Sequence, residues 1–572
     1  MERRHLPLTR GSSRNRGSSR NRGSSHNRGS SLSRPLGLLA LAAIPVAVLG
    51  IFFLLPVIGM VGRGFRPEGR WDVPGVLAVL GRSQVQSALW FTVWSATVAT
   101  AVTVLLGLPA AYVLHRLALP LRRLVRAALL VPFVLPTIVV GIAFRVLLTG
   151  PLSWLSIDGT PVAIIAGLVF FNVAVVVRAV GAAWESLDAR PAEAAAALGA
   201  APWTVFRTVT LPALRPAIVG AASVVFLFCA TSFGIVLTLG GLRYRSVETE
   251  IYLLTTNLLD LQGAAALSLL QLVVVVLLLA VGARLRAVPP SGQRVPVRPH
   301  RPGVGDVPQL LLTALVLGFV ALPVGALVVG SLRVEGRWSL ANYRALTSTG
   351  SHQALLEPAT TALDLSLRIA VDATLLALTL GLLVALSVTR RTHSRAERRL
   401  RGTLDALFML PLGVSAVTLG FGFLVTLDRP PLDLRDSPWL VPIAQALVAL
   451  PLVVRTLVPA LAGIDDRQRQ AAASLGAGPL RSAVVVEVPV LWRPLLAAAG
   501  FAFAASLGEF GATSFLARDE NATLPVVIYR LIGHPGPMNY GMALAASCVL
   551  AATTAVVMLV VERLRVPSLG VL

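Results

Sequence analysis

The chain carries one loop-like stretch twice, at a fixed interval, and this repeat restricts the folds open to it. Residues 193–216 read EAAAALGAAPWTVFRTVTLPALRP, and residues 470–494 read QAAASLGAGPLRSAVVVEVPVLWRP. Gly199 and Gly476 are separated by 277 residues, as are Pro212 and Pro489 (476 − 199 and 489 − 212). Matches outside the stretch, such as Tyr252 with Tyr529, keep the same interval. The sequence therefore predicts two copies of one structural unit.

Long apolar runs surround both copies of this stretch. The chain is 55% hydrophobic and 13% charged, whereas a soluble protein has about a quarter charged residues. A helix of about 20 apolar residues crosses a bilayer. Twelve such runs are predicted, at about 36–62, 87–114, 127–149, 161–184, 213–240, 264–283, 308–332, 365–389, 403–427, 438–462, 495–517 and 541–562. These runs predict an all-α polytopic membrane protein embedded in a lipid bilayer.

Composition also divides the chain into segments. Residues 1–34, which contain a Gly/Ser/Arg tandem repeat and few apolar residues, are predicted to be a disordered basic tail. Residues 35–284 form the first transmembrane domain, the Pro- and Arg-rich residues 285–307 a cytoplasmic linker, and residues 308–572 the second transmembrane domain. Since six is an even number, both domains enter the membrane in the same direction, as a parallel repeat.

Arginine placement predicts the orientation. Arginines cluster at 116–126, 284–301 and 390–401, which places these loops and both termini in the cytoplasm. The loops 241–263 and 518–540 are predicted to lie outside, where acids such as Glu248, Glu250, Asp519 and Glu520 offset the arginines. Both repeated stretches then lie on the cytoplasmic side, between the fourth and fifth spans of their halves.

Charge and residue types exclude several functions. The net charge of +23 could indicate nucleic-acid binding, but a basic tail and positively charged cytoplasmic loops explain it better, and no nucleic-acid partner is expected. The chain has no lysine, so it lacks the phosphate-binding loop of an ATPase. No His or Cys spacing indicates a metal site or catalytic residues, and no bound cofactor is expected.

The repeated stretch has the pattern of a docking projection. Ala194–Ala197 favour a helix, and Gly199 allows the chain to turn at its end. Residues 203–209 predict a second short helix, which Leu211-Pro212 would stop as the chain re-enters the membrane. An ordinary amphipathic connection is the alternative, but two copies in register make a docking element the better interpretation.

The stretch resembles the EAA loop of binding-protein-dependent ABC importer permeases. In the first copy the matching residues are Glu193, Ala194, Ala195, Gly199, Leu211 and Pro212; in the second they are Ala471, Ala472, Gly476 and Pro489, with Gln470 and Val488 departing from the pattern. The resemblance implies a type I importer fold in the bacterial inner membrane. It also implies coupling helices that dock on two copies of a cytoplasmic ATPase, which hydrolyses Mg-ATP, and an extracytoplasmic solute-binding protein.

The fused twelve-span organisation resembles iron(III) and thiamine permeases, which makes one of these solutes the expected substrate. The stretch 508–513 also resembles molybdate and sulfate permeases, so an oxyanion is the alternative. Twelve spans in parallel halves also suit an ion-coupled secondary transporter, although the repeated EAA-type loop argues against it. A membrane-embedded enzyme would need a catalytic cluster that the sequence lacks.

Three polar residues within the spans are candidates for the translocation path: Glu509, Ser232 and Asn172. Charges in a membrane are costly and indicate function, and Gly508 and Gly511 beside Glu509 permit close helix approach or local unwinding. The alternatives are structural. Glu509 can pair with an arginine such as Arg455 or bind a helix end, and Asn172, like Gln271, can hydrogen-bond between helices.

Overall fold

The computed structural model describes residues 42–66, 69–120, 122–129, 131–241, 243–285, 299–389, 395–409, 414–428, 432–518 and 521–564. The tail 1–34 and most of the linker, residues 286–298, lie outside these ranges. The helices of the first half are α1 (Ala42–Phe65), α2 (Val73–Gly81), α3 (Ser83–Arg116), α4 (Arg122–Ala128), α5 (Val131–Val134), α6 (Thr137–Thr149), α7 (Pro161–Glu185), α8 (Arg190–Ala197), α9 (Pro202–Ala230), α10 (Gly234–Gly240), α11 (Val247–Thr256) and α12 (Leu261–Leu285).

The second half repeats this order. Its helices are α13 (Val304–Ser331), α14 (Ala341–Arg344), α15 (Ala359–Thr389), α16 (Arg395–Met409), α17 (Ala416–Thr426), α18 (Leu440–Ala462), α19 (Asp466–Ser474), α20 (Val488–Leu507), α21 (Thr513–Leu516), α22 (Leu524–Gly533) and α23 (Pro537–Leu564). Two short antiparallel strands, β1 (Arg333–Val334) and β2 (Arg337–Trp338), follow α13. The predicted all-α membrane fold is confirmed.

Within the described ranges, ten single helices are long and apolar enough to cross a membrane, and a bent pair adds an eleventh span. The predicted third span, 127–149, is present as this bent pair and not as one continuous helix. The segments Leu124–Val134 and Thr137–Thr149 meet at 103°, because Pro136 is extended (φ −55°, ψ 137°) and interrupts the helix. The corresponding predicted span, 403–427, comprises α16 and α17, and residues 410–413 between them lie outside the description.

The fifth span also differs from its predicted bounds. Helix α9 begins in the repeated stretch and runs without a break to Ala230, so Leu211-Pro212 does not stop it. A π-helical turn, Phe206–Thr210, precedes the proline, and the Leu211 N–H donates to the Phe206 carbonyl five residues before. This wider turn accommodates the missing proline N–H. A π-helical turn, Ala483–Glu487, precedes Pro489 and leads directly into α20 in the same way.

Both of these helices then end earlier than predicted. The predicted spans 213–240 and 495–517 are interrupted at residues 231–233 and 508–512. The short helices α10 and α21 follow these breaks. Gly234 allows one break to pack closely on α6, since a Cβ there would lie 2.5 Å from the Thr137 hydroxyl and 2.8 Å from the Ile138 nitrogen. The local unwinding predicted around Glu509 is therefore present, and its counterpart lies in the first half.

The two halves interlock through their first helices. Phe52 of α1 packs on Phe423 of the second half, with ring centroids 6.0 Å apart. Phe319 of α13 packs on Phe144 and Phe170 of the first half at 5.9 and 6.3 Å. Each half thus buries the first span of the other in its own apolar core.

The predicted outer loops are not simple solvent-exposed connections. Residues 247–256 and 524–533 form α11 and α22, whose apolar faces belong to the core shared by both halves. Glu248 and Glu250 are completely buried. The expectation that these acids offset loop arginines holds for Glu250, which pairs with Arg245 at 3.2 Å, and not for Glu248, whose hydrogen-bond partners Gln271 and Ser415 are neutral. Asp519 and Glu520 lie outside the described residues.

Candidate functional site

The two repeated stretches form matching projections on one face of the bundle, called here the loop face. In each projection a short helix, α8 or α19, ends at a glycine in the left-handed region, Gly199 with φ +86° and Gly476 with φ +80°. Only glycine adopts such a conformation at little cost. The helix predicted for the alanines and its glycine stop are therefore confirmed in both copies.

The tips of the projections are apolar and exposed. Leu198 is 89% exposed and Leu475 is 88% exposed, and each directly precedes the turn glycine. The predicted coupling residues share this exposed setting. Exposed are Glu193, Ala194, Gly199, Gln470, Ala471 and Gly476, and partly exposed are Ala195, Leu211 and Ala472. Pro212, Val488 and Pro489 are exposed where each stretch enters its span. Exposed apolar residues at two matched positions are typical of a surface that binds another protein.

Aspartates fix the start of each short helix. The Asp465 carboxylate accepts a hydrogen bond from the Arg467 N–H at 2.9 Å, and Asp188 accepts one from the Arg190 N–H at 3.2 Å. Such side-chain acceptors satisfy backbone groups that a helix leaves unpaired at its start. Asp188 also hydrogen-bonds the Arg190 guanidinium and so raises the pKa of that arginine. These aspartates also lie 277 residues apart (465 − 188), so the repeat extends to the start of each short helix.

An aromatic row attaches the first projection to the bundle. Trp203 stacks on Phe206 at 5.5 Å, Phe206 stacks on Trp184 at 6.3 Å, and Trp184 contacts Tyr112 at 5.4 Å. The Tyr112 hydroxyl donates to the Asp306 carboxylate at 2.7 Å, which joins this row to the described end of the linker. The 277-residue interval assigns Leu461, Leu480 and Ala483 to the second half at these positions, so that half has no equivalent row.

A cavity of about 330 Å³ lies between the halves. Both halves line it, the first with residues 133–137, Phe171, 227–228 and 231–233, the second with residues 414–417, Val448, 451–452, Arg455, Phe501, 504–505 and 508–511. The first half supplies an aromatic wall, in which Phe133 lies 5.5 Å from Phe171 and 5.9 Å from Phe228. The second half supplies mainly small residues, with Arg455 and Glu509 as the charged ones.

Two stacked rings close the cavity at the end farther from the loop face. Phe233 and Phe510 follow the ends of α9 and α20, and their centroids lie 5.3 Å apart with the rings nearly parallel. Tyr252 flanks Phe233 at 5.3 Å, and Tyr529 flanks Phe510 at 5.5 Å. The four residues form two pairs at the 277-residue interval, so this closure, called here the ceiling, lies where the two halves meet symmetrically.

The three predicted path residues are placed differently. Ser232 lines the cavity, and its hydroxyl has no hydrogen-bond partner among the described residues. Glu509 also lines it, but its carboxylate accepts hydrogen bonds from the Ala512 and Thr513 N–H groups at 2.7 and 3.0 Å, and therefore caps α21. Asn172 is fully buried behind the wall, where its amide donates to the Leu168 carbonyl and contacts Cys229.

Several functional candidates were missed by the sequence analysis. Leu198 and Leu475 share the 277-residue interval, and this signal was present in the sequence. Phe233 and Phe510 also share this interval, but nothing in the local sequence indicates that the two rings stack. The contacts of Glu248, described below, depend on tertiary structure alone.

Comparison with known proteins identifies the family. The family model described as "Binding-protein-dependent transport system inner membrane component" matches residues 103–287 and 377–565. The chain is 29% identical over 461 residues to the thiamine transport system permease protein ThiP of Brucella abortus (strain 2308), covering 77% of this chain and 81% of that protein.

Two further relatives are similar over different lengths. A probable ABC transporter permease protein, y4fN of Sinorhizobium fredii, is 27% identical over 575 residues, covering 93% of this chain and 96% of the relative. The molybdenum transport system permease protein ModB of Mycobacterium bovis is 35% identical over 251 residues, covering 42% of this chain and 92% of the relative. With two family matches, two EAA-type projections and a cavity between the halves, the chain belongs to the binding-protein-dependent inner membrane components, as a multi-pass permease subunit of an ABC importer in which two repeats are fused.

Proposed function

We propose that this permease imports thiamine, or a closely related aromatic cation, through the cavity between its halves. The observation that carries the proposal is the aromatic wall of Phe133, Phe171 and Phe228 beneath the stacked ceiling. Aromatic faces attract cations and stack on planar rings, and thiamine has both a pyrimidine ring and a positively charged thiazolium ring. The names of similar permeases support the same substrate.

The loop face is proposed to be cytoplasmic, together with both termini. The arginine-rich sequence segments 116–126 and 390–401 follow the ends of α3 and α15, which both end on that side, and arginine-rich loops are typical of the cytoplasmic side. Two copies of an ABC ATPase would each receive one projection, with Leu198 or Leu475 at the contact. The chain would hydrolyse no ATP itself, and a solute-binding protein would deliver substrate at the opposite face. In the present conformation the ceiling closes the cavity towards that opposite face.

An oxyanion such as molybdate is the second candidate substrate. It is favoured by Arg455, which lines the cavity at the end nearer the loop face, and by the similarity to a molybdenum permease. An aromatic wall offers an oxyanion no hydrogen-bond donor, whereas it offers a cationic ring a large stacking surface. The composition of the wall therefore favours the aromatic cation.

Uptake by cells separates the two candidates. The chain would be expressed with its ATPase and binding protein in a host that lacks its own thiamine and molybdate importers, and uptake of each labelled solute would be measured. We expect ATP-dependent thiamine uptake that unlabelled thiamine inhibits and molybdate does not. Uptake of molybdate without uptake of thiamine would refute the proposal in favour of the oxyanion.

A matched pair of variants tests the wall itself. Phe171→Ala removes a ring that lines the cavity, and Phe170→Ala removes the neighbouring ring, which is fully buried outside it. At equal amounts of protein in the membrane, we expect Phe171→Ala to lower thiamine uptake more than Phe170→Ala does. Equal effects would show that the wall contributes only to packing.

A further inference from the structure

A closed ring of hydrogen bonds joins the two halves beside the ceiling. Glu248 of α11 accepts from the Gln271 amide of α12 through one carboxylate oxygen and from the Ser415 hydroxyl of the second half, at 2.8 Å, through the other. The Thr418 hydroxyl of α17 donates to the Gln271 carbonyl at 3.1 Å, and the Thr418 N–H donates to the Ser415 hydroxyl at 3.0 Å, which closes the ring. The bond from the Thr418 hydroxyl orients the amide so that its NH₂ group points to the carboxylate. The Gln271 amide and the Ser415 hydroxyl both donate, so both carboxyl oxygens of Glu248 act as acceptors.

Glu248 has no cationic partner among the described residues, although it is completely buried. Glu250, two residues along the same helix and equally buried, has the Arg245 guanidinium at 3.2 Å. An ionisable group buried at membrane depth without an opposite charge is costly and is a functional candidate by default. The ring supplies hydrogen bonds to Glu248, but no positive charge.

Within the described part of the chain, this arrangement occurs once. At the 277-residue interval, Glu248 and Gln271 correspond to Pro525 and Cys548. Helices α6 and α17 begin at Thr137 and Ala416, so Ser415 corresponds to Pro136. None of these counterparts has a carboxylate or amide side chain. If Glu248 only joined the halves, a similar contact would be expected at the equivalent position of the second half. Its presence in one half alone favours an interaction with an asymmetric ligand, such as a solute.

A single side chain, that of Ser415, separates the Glu248 carboxylate from the cavity. Ser415, which donates to Glu248, itself lines the cavity beside Ala416 and Val417. On the other side, Tyr252 lies one helical turn after Glu248 on α11 and packs on Phe233 of the ceiling. Glu248 therefore lies between the cavity wall and the ceiling. The rings of the ceiling would have to separate for solute to enter.

We propose that Glu248 is a cation-recognition residue for the incoming solute, sequestered while the ceiling is closed. When the halves separate at Phe233 and Phe510, α11 moves away from α17, the bond to Ser415 breaks, and the carboxylate turns towards the opening. It then attracts the positively charged ring of the solute into the path. Closure of the ceiling restores the bond to Ser415 and releases the cation into the cavity. This inference rests on the proposed function.

The test compares thiamine with an uncharged isostere in which carbon replaces the quaternary nitrogen of the thiazolium ring. Wild-type and variant permeases would be reconstituted with their ATPase and binding protein in lipid vesicles, and import of each compound would be measured with the binding protein saturated. In Glu248→Gln the side chain can still hydrogen-bond, but the charge is lost. We expect the ratio of thiamine to isostere import to fall about tenfold, as loss of one charge-assisted contact predicts.

Glu250→Gln is the matched control, because it neutralises an equally buried acid on the same helix; we expect it to leave the ratio unchanged. Glu248→Asp retains the charge and is expected to retain the import ratio. If Glu248→Gln does not assemble, the ratio measured for Glu248→Asp tests the inference in its place. A wild-type ratio in Glu248→Gln, or loss of the ratio in Glu248→Asp, would overturn the inference while leaving thiamine import intact. Absence of thiamine import by the wild type would overturn the proposed function and this inference together.

Discussion

The exposed leucines at the two loop tips should contribute directly to ATPase binding. Leu198 and Leu475 are 89% and 88% exposed, so nearly the whole side chain is available for burial on docking. Complete burial of a leucine stabilises by about 1.5–3 kcal/mol, which corresponds to about a 10- to 100-fold change in affinity. Leu198→Ser and Leu475→Ser should each weaken binding by that factor. The two effects should add in the double variant, since the loops are separate sites.

The measurement is the affinity of the permease for its proposed ABC ATPase partner, determined by titration in lipid nanodiscs. Leu356→Ser is the control, because Leu356 is 67% exposed and precedes α15, on the face opposite the loops. We expect the control to bind like the wild type and to show that removing an exposed leucine leaves the bundle folded. Double-variant affinity within twofold of the wild type would refute the docking role of the tips.

Three further outcomes are expected. Gly234→Ala places a Cβ 2.5 Å from a threonine hydroxyl and should lower the free energy of unfolding by about 1–3 kcal/mol through overpacking, which is measured as a lower melting temperature. Gly220→Ala is the control: its Cβ has no atom within 4 Å, so it should raise the free energy of unfolding by about 0.5–1 kcal/mol. Glu509→Ala leaves two buried N–H groups unpaired, at about 1–3 kcal/mol each, so it should lower the melting temperature more than Glu509→Gln; equal shifts would contradict the capping role. Phe206→Ala removes two ring contacts, each worth about 0.5–1.5 kcal/mol, and should speed tryptic cleavage after Arg207 without affecting the loop of the second half.

The features predictable from sequence are those encoded locally or by repetition. Alanines followed by glycine at 199 and 476 specify a helix and its stop, because propensity and the left-handed turn act within a few residues. Apolar length specifies the spans, since a bilayer imposes about 20 residues. The family resemblance of the EAA-type stretch then followed from six residues at fixed spacing, and the family match confirms it.

The features that could not be predicted depend on contacts between distant residues. Hydropathy does not distinguish a straight span from one bent at Pro136, because both segments are equally apolar. It also gives no sign that Glu248 and Glu250 are buried, since an acid in a short segment between spans is expected to be exposed unless the core that covers it is known. In the same way, the sequence offers Glu509 as a charge in the membrane, and only the structure shows the backbone N–H groups that it binds.

The unbroken course of α9 has a mechanical consequence. Because the π-helical turn accommodates Pro212, one continuous helix of 29 residues, about 43 Å long at 1.5 Å per residue, runs from the first projection to the residues just before Phe233. A displacement of the projection is therefore expected to reach the ceiling through this single helix, without an intervening loop. Docking of the ATPase at the projection and separation of the ceiling rings would then be coupled through α9.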